Sequence, residues 1–402
     1  MRVFAGMIFV PISMLVAACG YDASFDDCTV HCSSTSGCPT GLTCGDEGLC
    51  ERSNQSGLCG VPACNGTGVA VVTTLAGSPG ATGSTDGTGS AARFNFPLGV
   101  AVDSEGNVYV ADEHNHTLRQ VTPGGAVTTI AGNAGAAGNT DGTGSAARFD
   151  TPTGVALNSN ETGGIIYIVD YGNDIVRTVT PAGAVTTIAG SPGAAGSTDG
   201  TGSAARFSHP IGAAGVDVNG NIYVADANND TIRKVTPGGV VTTLAGSPGI
   251  PGSADGAGSA ARFSEPYGVA VDNDGNIYVV DSGNDTVRKV TPSGVVTTLA
   301  GSPGIPGSDD GAGSVARFNN PQGVAVDSSG TIYIADTVNE TIRAITPGGV
   351  VTTLAGTPGV GGSTDGAGSA ARFDSPRGVT VDSCGNIYVA DSDNQTIRKI
   401  TL

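Results

Sequence analysis

An Arg-Phe pair returns six times along the chain, at Arg93, Arg148, Arg206, Arg262, Arg317 and Arg372, with spacings of 55, 58, 56, 55 and 55 residues. A period of this length restricts the fold to a solenoid or a propeller built from one supersecondary unit. Each unit contains four strand-like runs. In the first complete copy these are Gly99 to Asp103, Asn107 to Asp112, Thr117 to Thr122 and Ala126 to Gly132. Ser104-Glu105-Gly106 and Pro123-Gly124-Gly125 supply the hairpin chemistry between them, because glycine takes the positive φ that such turns require. The 65 glycines and the absence of tryptophan fit many short strands and tight turns rather than helices.

The ends of the repeat array predict how it closes. The sixth unit stops at Leu402 without a fourth strand, and an unpartnered fourth strand stands at Val69 to Gly77 before the first complete unit. Pairing the two finishes a sixth blade from both chain ends and removes an open sheet edge. A solenoid would gain nothing from that offset, since its ends need polar caps instead. The expected fold is therefore all-β, a six-bladed β-propeller over residues 67–402 closed by an N-terminal strand.

Residues 1–18 read as a signal peptide: Arg2 is followed by an apolar run too short for a comfortable membrane span. Val16-Ala17-Ala18-Cys19 resembles a bacterial lipobox, which implies lipidation of Cys19; Gly20 in place of Asp implies the outer membrane. Residues 19–66 form a small cysteine-rich neck with Cys28, Cys32, Cys38, Cys44, Cys50, Cys59 and Cys64. Export favours disulfides there, and a polar segment this short needs cross-links to hold a fold. Zinc is disfavoured, because no C-x-x-C pair occurs and His31 is the one nearby histidine. The eighth cysteine left after Cys19 is Cys384, in the turn between the first two strands of blade six. It is expected to bond Cys64, or failing that Cys59, and so latch the closure.

The run from Pro97 to Val121, with Gly99-Val-Ala-Val-Asp103, Tyr109-Val-Ala-Asp112, Asn115 and Arg119, resembles the NHL repeat, and the resemblance extends over about residues 67 to 402. It implies a propeller. It implies little about activity, because NHL propellers include scaffolds, sensor domains, RNA binders and a lyase.

The repeated loop from Ser84 to Pro97 contains G-x-G, but no lysine and no long helix follow, so it lacks the parts of a phosphate cradle. Calcium-binding nonapeptides stack in tandem, whereas this loop occurs once per blade. A structural role is expected instead: Ser90 capping a short turn, Phe94 wedged against the next blade, and Pro97 starting the inner strand. Asp112, Asp170, Asp226, Asp281, Asp336 and Asp391 recur in every blade, as do Arg119, Arg177, Arg233, Arg288, Arg343 and Arg398 seven residues on. Six equivalent copies point to ion pairs, not catalysis. Asp272-Asn-Asp-Gly275 lacks the distal glutamate of a calcium loop and reads as a hairpin turn.

Positions where the copies disagree are the candidate site. Inside P-x-G stand Leu98, Thr153, Ile211, Tyr267, Gln322 and Arg377; before the proline stand Phe96, Thr151, His209, Glu265, Asn320 and Ser375. Both sets should ring one mouth of the channel, with Tyr267 and Arg377 as anchors. The expected function is a non-enzymatic, membrane-anchored scaffold that binds a protein, peptide or glycan on one face as a monomer, with no catalytic residue, metal ligand or cofactor assigned. The alternative is a hydrolase or lyase of the six-bladed class with zinc or calcium in the channel. His31, His114, His116 and His209 do not have the spacing of a ligand set. A net charge of −18 argues against nucleic acid and against docking on anionic lipid, which leaves the lipid as the sole membrane attachment.

Overall fold

A computed structural model describes residues 43–44, 50–51, 68–158 and 164–402. The chain divides into a unit at 1–65 and a unit at 66–402. In the first, Thr43–Cys44 pairs antiparallel with Cys50–Glu51. The signal segment, Cys19, His31 and the neck cysteines other than Cys44 and Cys50 lie outside the described residues, as does Cys64, the partner expected for Cys384.

The second unit is the six-bladed propeller. In blade one the sheet runs, from the axis outward, through Pro97–Val102, Val108–Asp112, Thr117–Val121, Ala126–Gly132 and Gly87–Thr88. Each blade has five strands rather than the expected four. The added outermost strand is two residues long and comes from the repeated loop, whose Gly-Thr or Gly-Ala pair reaches the last full strand for two registered positions. So short a strand carries no β-rich run to betray it in the sequence.

Closure is as expected. Val71–Gly77 pairs with Thr396–Thr401, and Gly366–Ala367 pairs with Val71–Gly77 from the outside. The inner hairpin turns are held by their first aspartate: Asp103 Oδ1 accepts the amides of Glu105 and Asn107 at 3.0 and 2.8 Å, and Asp272 Oδ1 treats Asp274 and Asn276 the same way. Asp272 is thus a turn residue.

The core is divided into six clusters, one between each pair of neighbouring blades. Between blades six and one, Phe94 lies fully buried with Val100, Val110, Tyr388, Ala390 and Ile397. Phe149, Phe207, Phe263, Phe318 and Phe373 repeat that wedge and are equally buried. Burying one such side chain contributes about 1.5–3 kcal/mol. Ser90 differs from its expected role: it lies inside the 3₁₀ turn Gly89–Ala91, whose N-cap is Thr88, and its carbonyl accepts Arg93 Nη1 at 2.6 Å. The turn begins two residues too early for the Ser90 hydroxyl to cap it.

Candidate functional site

The frame comes first, because it is the same in every blade. Arg119 extends from the third strand into the blade and is fully buried. Its Nη1 donates to Asp112 Oδ2 at 2.6 Å and its Nη2 to Asp86 Oδ1 at 2.8 Å, while the guanidinium lies 5.3 Å from the Phe94 ring. Asn115 Nδ2 adds a 2.7 Å bond to Asp112, and Thr129 Oγ1 one of 2.9 Å to Asp86. Asp86 is the acid of the repeated loop, so the loop is tied across its own blade. Burial pushes the Asp112 carboxyl up to about 6, and Arg119 with the surrounding donors keeps it from rising further. The same Asp–Arg–Asp arrangement holds in the other five blades. This accounts for the repeated Asp and Arg as structure, as their number implied.

A second repeated device joins blade to blade. The pre-proline residues Phe96, Thr151, His209, Glu265, Asn320 and Ser375 all have φ between 47 and 61°. For residues with side chains that region is strained and persists where neighbours hold it. Here each backbone N–H is held by a side chain of the preceding blade: Thr151 by His116 Nδ1 at 3.0 Å, His209 by Asp174 at 2.7 Å, Glu265 by Asp230 at 3.0 Å. Asn320 is held by Asp285 and Ser375 by Glu340; Phe96 is held by Gln395 at 2.5 Å across the closure. The histidine of the NHL pattern, His116, therefore stands at a clasp position that later blades fill with other acceptors.

The P-x-G residues do form a ring around the axis. Five of the six glycines lie where a Cβ would run into the carbonyl of the next blade's P-x-G residue, as Gly99 does against Thr153, Gly268 against Gln322 and Gly378 against Leu98; Gly154 meets the carbonyl of Gly212 instead. Inside the ring the channel is lined by Val and Ala from the inner strands and encloses about 160 Å³. Polar side chains gather at the P-x-G mouth and also around the hairpin turns, where Asp103, Glu105, Asn107, Tyr109 and Asp382 line a cavity of about 650 Å³.

At that mouth the ring is not uniform. Leu98 and Thr153 are buried, Ile211, Tyr267, Gln322 and Arg377 are half-buried, and Glu265 is exposed. Arg377 lies 4.6 Å from the Phe96 ring, which stacks on His114 at 4.9 Å. Arg377 Nη1 donates to Gln322 Oε1 at 3.0 Å, and Gln322 Nε2 donates to Asn320 at 2.7 Å. Burial pushes the Tyr267 hydroxyl up to about 12 against the pull of Arg377. The sequence anchors Tyr267 and Arg377 thus share one electrostatic group.

Two members of that group escaped the sequence reading. Glu113 follows the repeated Asp112, and burial pushes its carboxyl up to about 7, with Arg377 pulling the other way. Tyr171 occupies the same position in blade two; its hydroxyl is raised by burial and by Glu113, and its ring meets His209 at 4.8 Å. The signal was present: after the repeated Asp stand Glu113, Tyr171, Ala227, Ser282, Thr337 and Ser392. In three blades the small hydroxyl at this position bonds the proline carbonyl of the next blade, as Ser392 does to Pro97 at 2.6 Å. Glu113 and Tyr171 are too large for that role and enter the mouth. Among the described residues no three His, Cys, Asp or Glu side chains converge to hold a metal.

The NHL repeat family matches residues 94–121 and 373–400, and the Teneurin NHL domain matches 250–309 and 306–365. Protein Suppressor of quenching 1, chloroplastic, of Arabidopsis thaliana is 32% identical over 67% of this chain; the chain spans 26% of that protein's length. An auxiliary nutrient binding protein from Bacteroides thetaiotaomicron superposes with a TM-score of 0.62 at 19% identity, covering 89% of this chain and 82% of that one. A streptogramin B lyase superposes with a TM-score of 0.51 at 12% identity, covering 84% and 99%. At such identities these structures show a shared fold, and one fold carries both binding and lyase chemistry. With six blades closed between the chain ends and the repeat in the first and last of them, the chain belongs to the NHL-repeat β-propeller proteins.

Proposed function

We propose that this protein is a non-enzymatic binding propeller that takes a protein, peptide or glycan ligand at its P-x-G mouth. One observation carries the reading: six blades alike in frame differ at the mouth, and the differing residues assemble Arg377, Tyr267, Gln322, Phe96 and Glu113 into one polar and aromatic group. Aromatic and arginine side chains on a rigid frame are the usual energetic centres of recognition surfaces. The chain would act outside the cytoplasm, tethered through lipid on Cys19 at the cell envelope, most simply the outer membrane.

Glycan and peptide arrays probed with wild type and with the Tyr267→Ala/Arg377→Ala variant test this. Signals present for wild type and lost in the folded variant support the reading; matching profiles overturn it. Metal analysis addresses the hydrolase or lyase alternative, which stoichiometric zinc or calcium in the purified protein would favour.

A further inference from the structure

Arg377 differs from every buried arginine of the frame. Arg119 and its five counterparts are each clamped between two aspartates, whereas among the described residues no carboxylate lies within ion-pair distance of Arg377. Its guanidinium is fixed all the same, by the Phe96 ring on one side and by Gln322 Oε1 at 3.0 Å. The Gln322 amide is itself oriented by Asn320, so the oxygen and not the nitrogen faces the arginine. A planar cation held in one orientation with no carboxylate at ion-pair distance is preorganised for one.

Three polar atoms of this mouth add to that observation. Arg377 Nε, Glu113 Oε2 and Thr153 Oγ1 are all buried and have no hydrogen-bond partner. Thr153 as a whole is 1% exposed. Buried polar atoms ordinarily find partners, so these orphans, one on the cation itself and one on the carboxyl group its charge reaches, mark the mouth as a place that takes a polar group. The six Arg Nε orphans of the frame have no such meaning, since they repeat in every blade away from the mouth.

We propose that Arg377, with Phe96, Gln322 and Glu113, forms a seat for the carboxylate of a small ligand or ligand terminus. The inference rests on the mouth being a binding site and adds which group enters it. The ring of glycines brings neighbouring backbones together and narrows the channel below, which suits a terminal carboxylate at the rim.

Glu113 makes the seat respond to pH. Its neighbours are Arg377, His114 with Nε2 3.9 Å from Oε1, Tyr171 and Tyr267. Burial holds its carboxyl near neutrality, so its charge changes over the working range. An ionised Glu113 would repel a ligand carboxylate, whereas a protonated one can donate to it. Ligand binding therefore takes up a proton, and affinity falls as pH rises through about 7.

Titration calorimetry on the full chain tests the seat with glucuronate against glucose, and with a short peptide bearing a free C-terminus against its amide. The two pairs separate a sugar acid from a peptide end. Wild type is expected to favour at least one acid over its neutral counterpart by about tenfold or more, the scale of one charge-assisted hydrogen bond. Arg377→Gln should abolish that preference, and Arg377→Lys should keep part of it. Glu113→Gln should bind the acid with no dependence on pH between 6 and 8. The proposal is overturned if wild type shows no preference for either acid, or if Arg377→Gln retains it at an unchanged melting temperature. Array binding that is lost in the Tyr267→Ala/Arg377→Ala variant, without any acid preference, would reject the seat and leave the binding mouth in place.

Discussion

The repeated loop around Asp86 and the channel mouth around Arg377 both contain arginine, acid and phenylalanine, yet they do opposite things with them. At Arg119 the charge is paired: two aspartates and two backbone carbonyls accept from the guanidinium's Nη atoms, and Asn115 donates to one of those aspartates. At Arg377 the cation is positioned with no carboxylate, among the described residues, at ion-pair distance. Satisfied charges hold a structure together, and a held but unsatisfied one is available to a ligand. On the proposed reading, stability lies in what the blades share and recognition where they differ.

The largest expected effect comes from opening a frame site. Arg233→Ala leaves Asp226 buried without its cation, which should cost about 3–5 kcal/mol in urea unfolding. A loss below about 1 kcal/mol would mean that the repeated pair is not what holds the blade. Next is the closure clasp. Gln395→Ala leaves the Phe96 amide without its acceptor and should cost about 1–3 kcal/mol, with faster hydrogen exchange at Phe96. Unchanged exchange there would show that the strained entry is held by something else.

Acid titration separates the frame charges by sign. Burial pushes Asp112, Asp226, Asp281, Asp336 and Asp391 up to about 6 and Asp170 up to about 7. Their folded forms take up protons before the unfolded chain does, so the melting temperature should rise as pH falls from about 7 towards 4. For Asp141, Asp255 and Asp310, burial raises the carboxyl but threonine and arginine donors outweigh it, leaving each below its ordinary value. Their contribution is present above the unfolded value and is lost at still lower pH, so stability should then decline. A steady fall from pH 7 downward would contradict this order. The smallest effect belongs to the mouth: Gln322→Ala should change stability by no more than about 0.5 kcal/mol, because its amide bonds other mouth residues and not the frame.

The propeller was legible because its evidence is repeated. The Arg-Phe period, the hairpin glycines and the offset of Val71–Gly77 each constrain pairing, and together they leave one closure. The mouth ring was legible for a related reason, since near-identical copies expose their exceptions. Glu113 was not legible because it stands one residue past the repeated Asp112, outside the P-x-G motif that marks the mouth. The clasps were missed because only Asp174, Asp230 and Asp285 share a residue type, while His116, Glu340 and Gln395 stand at the other three; what all six share is an acceptor atom at one place. Neither Gly87–Thr88 nor the position of Ser90 could be read from propensity, because two residues and a single turn carry almost none.

The division between frame and mouth is tested most directly by measuring stability and glucuronate or peptide-acid affinity on two variants, Arg233→Ala and Arg377→Gln. The account predicts a separation. Arg233→Ala lowers the melting temperature yet, while folded, binds the acid as wild type does. Arg377→Gln binds about tenfold more weakly or worse while its melting temperature moves by no more than about 2 °C. Two variants that lose stability and affinity in parallel would contradict the claim that this propeller is held by its shared residues and reads ligands with the ones its blades do not share.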